Sequence, residues 1–194
     1  MLDYGAGTGA ILATLVTARK LVAVEFNPHA REYMRRHQPH ISTFPYPELV
    51  QPSSVDMVYS TSVIEHVECP IQELRALRKA LRPGGRIRIG VKNEGVELWR
   101  SWVPSNVDNH LYTWNSMLLG NVLRAAGFVV DRIISGGPGH AASLATKRKR
   151  VESFILNKSF GTRGHTFQYL WAFGHVPGRG EPFPQRNGVA VMRR

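Results

Sequence analysis

The chain has 194 residues, of which 43% are hydrophobic, so it can bury the core of one domain without disulfide bonds. Its single cysteine, Cys69, excludes a disulfide framework, and no apolar stretch reaches the roughly twenty residues of a membrane span. With no signal peptide visible, we expect a cytoplasmic protein. The formal net charge is +11, and residues 135–194, with ten Lys or Arg against two Asp or Glu, carry +8 of it.

A glycine-rich turn comes first in the chain. Asp3 is followed by Gly5, Gly7 and Gly9, three glycines at alternate positions. A strand that turns sharply into a helix, with a ligand against its backbone, leaves no room for a Cβ atom and therefore favours glycine. Apolar residues at helical spacing predict that this helix covers residues 10–20, with its N-terminus toward the ligand. The segment predicts a cofactor-binding turn.

Two cofactor classes fit this turn. Residues 5–10 also match the G-x-G-x-x-A form of the dinucleotide-binding fingerprint, which would imply a dehydrogenase. The carboxylate of Asp3 favours a ligand end that carries an ammonium group, because a fixed negative charge repels a pyrophosphate. A dehydrogenase that binds a dinucleotide is therefore the least favoured of the functions that we consider for this chain.

The next apolar run leads to a carboxylate. Residues 21–24 have the continuous apolar character of a buried parallel strand, and Glu25 follows them, about twenty residues after the first glycine. An acid at this place can accept hydrogen bonds from both ribose hydroxyls, or it can interact with the next helix. Asn27 and Pro28 predict the N-cap and first position of that helix.

A third segment combines a strand, a helix and a turn. Residues 55–67 read V-D-M-V-Y-S-T-S-V-I-E-H-V and precede a predicted helix. Its apolar face would carry Ile71, Leu74, Leu77 and Leu81. The sequence L-R-P-G-G at residues 81–85 predicts a turn, and residues 86–91 predict the strand that follows it.

In this order, these features resemble those of the class I S-adenosylmethionine-dependent methyltransferases. The likeness includes a D-N-H-L-Y-T-W segment at residues 108–114 and extends from Leu2 to about Ile134. It is greatest to the branch of ubiquinone-biosynthesis O-methyltransferases and of small-molecule and glycan methyltransferases. The resemblance implies an α/β fold, with a doubly wound, mostly parallel seven-stranded Rossmann-like sheet. Its last strand, residues 169–175, would lie antiparallel between the fifth strand and the sixth, residues 128–134.

The resemblance also implies a cofactor site. Asp3 and the backbone of Gly5, Ala6, Gly7 and Gly9 would hold the methionine end of S-adenosylmethionine, with S-adenosylhomocysteine as the product. Glu25 would hold the ribose, and Phe26 would lie beside the adenine. Ser60 and Thr61 would line the cofactor pocket at the end of the fourth strand, or they simply end that strand.

The chain departs from the family pattern at two places. Many relatives carry an acidic residue after the third strand that holds the adenine amino group, whereas residues 41–45 contain none. A metal-dependent subset has the motif E-x-x-E-H, and the matching residues here are Ser62, Glu65 and His66. Because a hard cation prefers several oxygen ligands, we expect no metal, and we expect structural roles for Glu65 and His66.

The acceptor side is predicted between the fifth strand and the next helix. Three of the four tryptophans lie there with other ring and cationic side chains, namely Trp99, Trp102, Trp114, Arg100, Tyr112 and His110. Aromatic residues at the carboxyl ends of parallel strands suit a pocket cover, so we predict a substrate pocket at Trp99, Arg100 and Tyr112. Alternatively, these side chains only pack the segment that covers the pocket, and this is the favoured interpretation for Trp114. A hydroxyl acceptor benefits from a base, for which His110 is the first candidate and His66 the second.

The whole pattern predicts one methyltransferase domain at residues 1–176, with a long insertion at residues 135–168 and a disordered tail at residues 177–194. We expect methyl transfer to a small molecule at a hydroxyl oxygen. One alternative is an RNA or protein acceptor held by the basic C-terminal region, whose densest run, residues 147–150, can equally be the solvated start of a helix. A non-catalytic binding module is another alternative.

The first strand is unusually short. Only Met1 and Leu2 precede Asp3, although this strand lies at the centre of the implied sheet. A strand of two or three residues would leave its neighbours short of ladder partners. We therefore predict that the natural protein extends upstream, or that the chain is a fragment or has a misplaced start.

Overall fold

The computed structural model describes residues 1–15, 20–93, 109–136 and 169–181. One sheet contains seven strands: β1 (Leu2–Tyr4), β2 (Leu21–Val24), β3 (Ile41–Phe44), β4 (Val55–Thr61), β5 (Leu81–Lys92), β6 (Val129–Gly136) and β7 (Tyr169–His175). Their order is β3-β2-β1-β4-β5-β7-β6, and β7 runs in the opposite direction to the other six strands. The predicted α/β fold, with its mostly parallel Rossmann-like sheet, is confirmed.

The short central strand β1 is paired on both sides. Leu2 lies opposite Val22 of β2 and Val58 of β4, and all three residues of β1 are buried. The hydroxyl of Ser60 donates a 2.9 Å hydrogen bond to the carbonyl of Tyr4, which ties the ends of β1 and β4 together. The turn that follows β1 therefore starts from a fixed point between two strands.

Three helices are described: α1 (Pro28–His37), α2 (Pro70–Ala80) and α3 (Ser116–Ala125). The predicted cap of α1 is confirmed, because the Asn27 side chain accepts hydrogen bonds from the backbone N–H groups of His29 and Ala30. Helix α2 buries Leu74 and Leu77 and half-buries Ile71, as the periodicity predicts. Leu81 instead begins β5.

The prediction of a helix over residues 10–20 is wrong for residues 10–15, which the structure describes. Residues 12–14 form a single 3-10 turn, and Leu15 leaves it with φ −96° and ψ 65°. The hydroxyl of Thr14 donates to the carbonyl of Ile11 at 2.7 Å, an alternative bond that competes with the helical ladder. Residues 16–19 lie outside the described residues.

The prediction of a separate turn at residues 81–85 is also wrong, because these residues form the first part of β5. The register between β4 and β5 passes from Val55 opposite Leu81 to Met57 opposite Arg86, so residues 82–85 bulge out of the ladder. Gly84, with φ +74°, supplies the backbone conformation that the bulge needs.

The core lies on both faces of the sheet. One cluster packs α2 and α3 against β1, β4 and β5 and includes Trp114, which is 1% exposed. The other cluster surrounds Leu12, Met34, Tyr59 and Trp171. This packing leaves the carboxyl ends of β1, β2 and β4 as the common edge where a ligand can bind. No helix in the described parts of the chain has the length and apolar character needed to cross a membrane.

Candidate active site

The glycine turn closes onto the end of β2. Gly5 and Ala6 donate their backbone N–H groups to the carbonyl of Val24 at 2.8 and 3.2 Å. Gly5 has φ +77°, and a Cβ atom on it would lie 2.2 Å from Cγ2 of Val63. Gly7 has φ +56° and faces open space. Both positions thus need glycine for backbone conformation, and of the two only Gly5 also needs it for close packing.

Asp3 is a buried carboxylate beside this turn. It is 2% exposed, and its Oδ2 has no hydrogen-bond partner among the described residues. Burial, together with the charge of Glu25, raises the pKa of Asp3 to about 7. Because an unpaired buried charge is costly, a bound cationic group would stabilise the ionised form of Asp3.

Glu25 is fixed by two backbone donors. Its Oε2 accepts from the N–H of Gly7 at 2.7 Å, and its Oε1 accepts from the N–H of Asn27 at 2.8 Å. A carboxylate oxygen can accept more than one hydrogen bond, so both oxygens keep capacity for a ligand hydroxyl. The carboxylate therefore lies at the turn in a set orientation.

A cavity of about 760 Å³ opens at this edge of the sheet. Its lining combines predicted residues of the turn and loops with residues of α2: Gly5, Glu25, Phe26, Tyr46, Ser62, Val63, His66, Val67, Glu68, Cys69, Gln72 and Glu73. Six other residues predicted for the cofactor are absent from this lining, namely Asp3, Ala6, Gly7, Gly9, Ser60 and Thr61. Ser60 is bonded inside the sheet, and Ser62 and Val63, which follow Thr61 in the chain, line the cavity.

Three aromatic side chains form one wall beside the cavity. The ring of Phe26, which is 40% exposed, meets the ring of Tyr4 at 5.7 Å and that of Tyr46 at 6.0 Å, both edge to face. Sequence reasoning missed Tyr46. The signal that could have found it is an aromatic residue just after β3, where the expected acid is missing.

A second group of side chains gathers near the loop after β4. Ligand atoms of Glu65, His66 and His110 all lie within 4.8 Å of one another, and the two imidazole centroids are 4.7 Å apart. The backbone N–H of Leu111 donates to the carbonyl of Glu65 at 2.8 Å, which fixes the His110 segment to this loop. The structure thus brings together the two predicted base candidates, which are distant in sequence.

Glu65 is the buried member of this group. It is 1% exposed, and neither carboxylate oxygen has a hydrogen-bond partner of acceptable geometry among the described residues. Burial raises the pKa of Glu65, and nearby backbone amides and the imidazoles of His110 and His66 oppose this rise. A neighbouring positive charge, such as an imidazolium, would stabilise its ionised form.

The same group could hold a metal ion. Its donor set is one carboxylate and two imidazoles, which suits transition ions better than magnesium. Ser62 does not belong to this set, and its hydroxyl lies 3.5 Å from that of Tyr169. The absence of a bound metal stays a prediction.

The structure describes only some of the residues that are predicted to form the pocket for the methyl acceptor. Tyr112 is half-buried, and its hydroxyl donates to the carbonyl of Glu68 at 2.6 Å. Trp114 packs in the core, as expected. Outside the described residues lie Trp99, Arg100, Trp102, the basic run at 147–150, residues 137–168 of the insertion and residues 182–194 of the tail.

Comparison with known proteins identifies the family of this chain. A model of the methyltransferase domain family matches residues 1–133. The biotin biosynthesis bifunctional protein BioHC of Cellvibrio japonicus is 30% identical over 123 residues, which cover 58% of this chain and 23% of that protein. The ubiquinone biosynthesis O-methyltransferase of Idiomarina loihiensis is 34% identical over 70 residues, covering 31% and 29%. The chain thus spans less than a third of the length of these relatives.

Solved structures share the fold at low sequence identity. A Haloferax volcanii methyltransferase in complex with the Trm112 methyltransferase activator gives a TM-score of 0.63 at 19% identity, covering 91% of this chain and 81% of that one. An S-adenosylmethionine-dependent methyltransferase from Mesorhizobium loti gives 0.60 at 16% identity, covering 90% and 89%. At these identities the likeness concerns the fold alone.

Proposed function

The chain belongs to the methyltransferase domain family, and on this premise we propose that it transfers a methyl group from S-adenosylmethionine to a small molecule at a hydroxyl oxygen. The observation that carries the proposal is the buried, unpartnered carboxylate of Asp3 beside the glycine turn. Such a group fits the ammonium of an amino acid better than a pyrophosphate. Similarity to the ubiquinone biosynthesis O-methyltransferase supports the hydroxyl target.

The residues at the sheet edge fit this cofactor. Asp3 would accept hydrogen bonds from the ammonium, and the backbone of the glycines in residues 5–9 would let the methionine end approach closely. Glu25 accepts from the ribose hydroxyls with the lone pairs that Gly7 and Asn27 leave open. Phe26, which lines the cavity and is 40% exposed, would pack against the adenine.

When bound, S-adenosylmethionine supplies a methyl group already activated by its sulfonium. The chain then has to align the acceptor oxygen with that methyl group and exclude water. An imidazole nitrogen of His110 accepts the proton that the acceptor hydroxyl loses, with His66 as the second candidate. In its ionised form, the carboxylate of Glu65, buried beside both rings, would stabilise the imidazolium that results.

Calorimetry with S-adenosylhomocysteine tests the proposal. We expect binding with thermal stabilisation of the wild-type protein, and at least about tenfold weaker binding by Asp3→Asn, since the ammonium loses its charged partner. An absence of both heat and thermal stabilisation with the wild-type protein would refute it. Binding of a nicotinamide dinucleotide in place of S-adenosylhomocysteine would favour a dehydrogenase.

A further inference from the structure

We propose that Glu73, on α2, recognises the 6-amino group of the cofactor's adenine. The inference rests on the proposed function, because it takes S-adenosylmethionine to be the occupant of the 760 Å³ cavity. Glu73 would do the work of a carboxylate that the chain lacks after β3. It would act from a different element of the fold.

The segment after β3 offers no acid to the cavity. From Ile41 to Pro47 the chain contains no carboxylate, and the first acidic residue, Glu48, is not among the residues that line the cavity. Tyr46 lines the cavity at this position instead and is 55% exposed. This side of the cavity therefore presents an aromatic face to a purine, and the carboxylate that could accept from its amino group must come from elsewhere.

Glu73 is connected to that aromatic wall through Tyr4. The Tyr4 hydroxyl donates to Oε2 of Glu73 at 2.8 Å, and the Tyr4 ring contacts Phe26, which in turn contacts Tyr46. Glu73 itself lines the cavity and is half-buried. A purine packed on Phe26 and Tyr46 would thus have this carboxylate at the same end of the cavity.

The hydrogen bond from Tyr4 leaves one oxygen of Glu73 for a ligand. Tyr4 engages Oε2, and no residue in the described segments donates to Oε1. Burial raises the pKa of Glu73, with the charge of Glu48 adding to this and the Tyr4 hydrogen bond opposing it. A further N–H donor would therefore stabilise the carboxylate in a place where solvent does so poorly.

The chemistry of an ionised carboxylate makes it selective. It only accepts hydrogen bonds, so it pairs with a 6-amino group and repels the 6-oxo group of hypoxanthine. Sites built to hydrogen-bond a substrate group discriminate strongly against analogues that lack it. Glu73 should therefore make this cavity prefer adenine over hypoxanthine.

The test compares S-adenosylhomocysteine with S-inosyl-L-homocysteine by calorimetry on the wild-type chain, Glu73→Gln and the matched control Glu48→Gln. We expect the wild-type chain and the control to bind the adenine compound at least about tenfold more tightly. In Glu73→Gln the side-chain amide can donate to a 6-oxo group, so the two affinities should come within about threefold of each other. Tyr4→Phe provides a second variant, because it removes the hydrogen bond to Glu73 and leaves the carboxylate in the chain. It should reduce the preference for the adenine compound several-fold.

Several outcomes would overturn the inference while leaving the proposed function intact. They are a wild-type chain that binds both compounds within threefold, a Glu73→Gln variant with the wild-type preference, and equal losses of both affinities in that variant. If Glu73→Gln does not fold, an unchanged preference in Tyr4→Phe overturns it. A wild-type chain that binds neither compound refutes the proposed function instead.

Discussion

The backbone N–H of Gly7 donates a 2.7 Å hydrogen bond to Oε2 of Glu25, which joins the glycine turn to the end of β2. The other oxygen of the same carboxylate accepts from Asn27, the N-cap residue of α1. One side chain therefore positions the turn, the end of a strand and the start of a helix. The residue proposed to hold the ribose thus also organises the backbone that is proposed to hold the methionine end of the cofactor.

Replacing Glu25 by alanine should therefore affect both stability and binding. We expect a loss of about 1–3 kcal/mol in the free energy of unfolding, because two backbone N–H groups lose a charged acceptor. Binding of S-adenosylhomocysteine should weaken at least about tenfold. Denaturant unfolding and calorimetry measure the two effects. Glu32→Ala is the control and should bind normally, because Glu32 lies on α1 with its side chain 42% exposed and paired with Arg35 and Arg36.

The sheet could be predicted from the sequence because its signals are local. Continuous apolar runs, the Asn27-Pro28 cap and the periodicity of α2 each specify an element without knowledge of its neighbours. The prediction of a helix was wrong for residues 10–15, where Thr14 bonds its hydroxyl to the backbone of Ile11, a local hydrogen bond that apolar spacing does not reveal. The bulge at residues 82–85 depends on pairing with β4, which is likewise invisible in the local sequence.

The candidate site was predictable where one motif carries several residues. Asp3, Gly5, Gly7 and Glu25 belong to one strand, turn and strand unit, and they lie together. Tyr46 and Glu73 were missed because they reach the cavity from the segment after β3 and from α2, through contacts of side chains far apart in sequence. The proximity of Glu65 to His110 likewise depends on contacts between segments that are far apart in sequence.

Cofactor binding should depend on pH through Asp3. Its pKa is raised from 3.8 to about 7, so ionised Asp3, which pairs with an ammonium, becomes scarce in the free protein below pH 7. Affinity for S-adenosylhomocysteine should then fall by up to about tenfold per pH unit below 7 and level off above it. Calorimetry between pH 5.5 and 8 checks this, and Asp3→Asn should lose most of the dependence. A flat wild-type profile would contradict it.

The same shift predicts how the stability of the free protein changes with pH. A raised carboxyl pKa contributes stability that is present in full below pH 3.8 and is lost as the pH rises to about 7. Asp3→Asn removes this loss, so its gain in melting temperature over the wild-type protein should be larger at pH 8 than at pH 5.5. Thermal unfolding without ligand measures the difference. An equal gain at both pH values would argue against a buried titrating Asp3.

The base assignment predicts separate effects on turnover and on binding. His110→Ala should lower methyl transfer to a hydroxylated acceptor by roughly 10²- to 10⁴-fold and leave affinity for S-adenosylhomocysteine within about twofold. His66→Ala should have the smaller effect on turnover. Radiolabelled methyl transfer over a panel of phenols and alcohols supplies the measurement. His29→Ala, an exposed histidine on α1, is the control, and unchanged turnover in His110→Ala would dispose of the base role.

Magnesium should not be required. The described donor group has one carboxylate and two imidazoles, and the serine at position 62 lies outside it, so a hard cation finds too few oxygen ligands. We expect equal melting temperatures with magnesium and with a chelator. We also expect equal turnover. A rise in melting temperature with magnesium that is absent from Glu65→Gln would overturn this expectation.

Gly5 and Gly7 allow the effects of packing and of backbone conformation on stability to be measured separately at the turn. Alanine at Gly7 would meet no atom within 4 Å and so costs only the strain of a positive φ, about 1 kcal/mol. Alanine at Gly5 pays the same strain and also places its Cβ 2.2 Å from Cγ2 of Val63, in the wall of the cavity. Gly5→Ala should therefore be less stable than Gly7→Ala by a further 1–3 kcal/mol or so, as for an overpacked core. The double variant Gly5→Ala with Val63→Ala should recover most of that difference in denaturant unfolding. Failure of the second substitution to restore stability would mean that the close approach of Gly5 to Val63 does not set the cost.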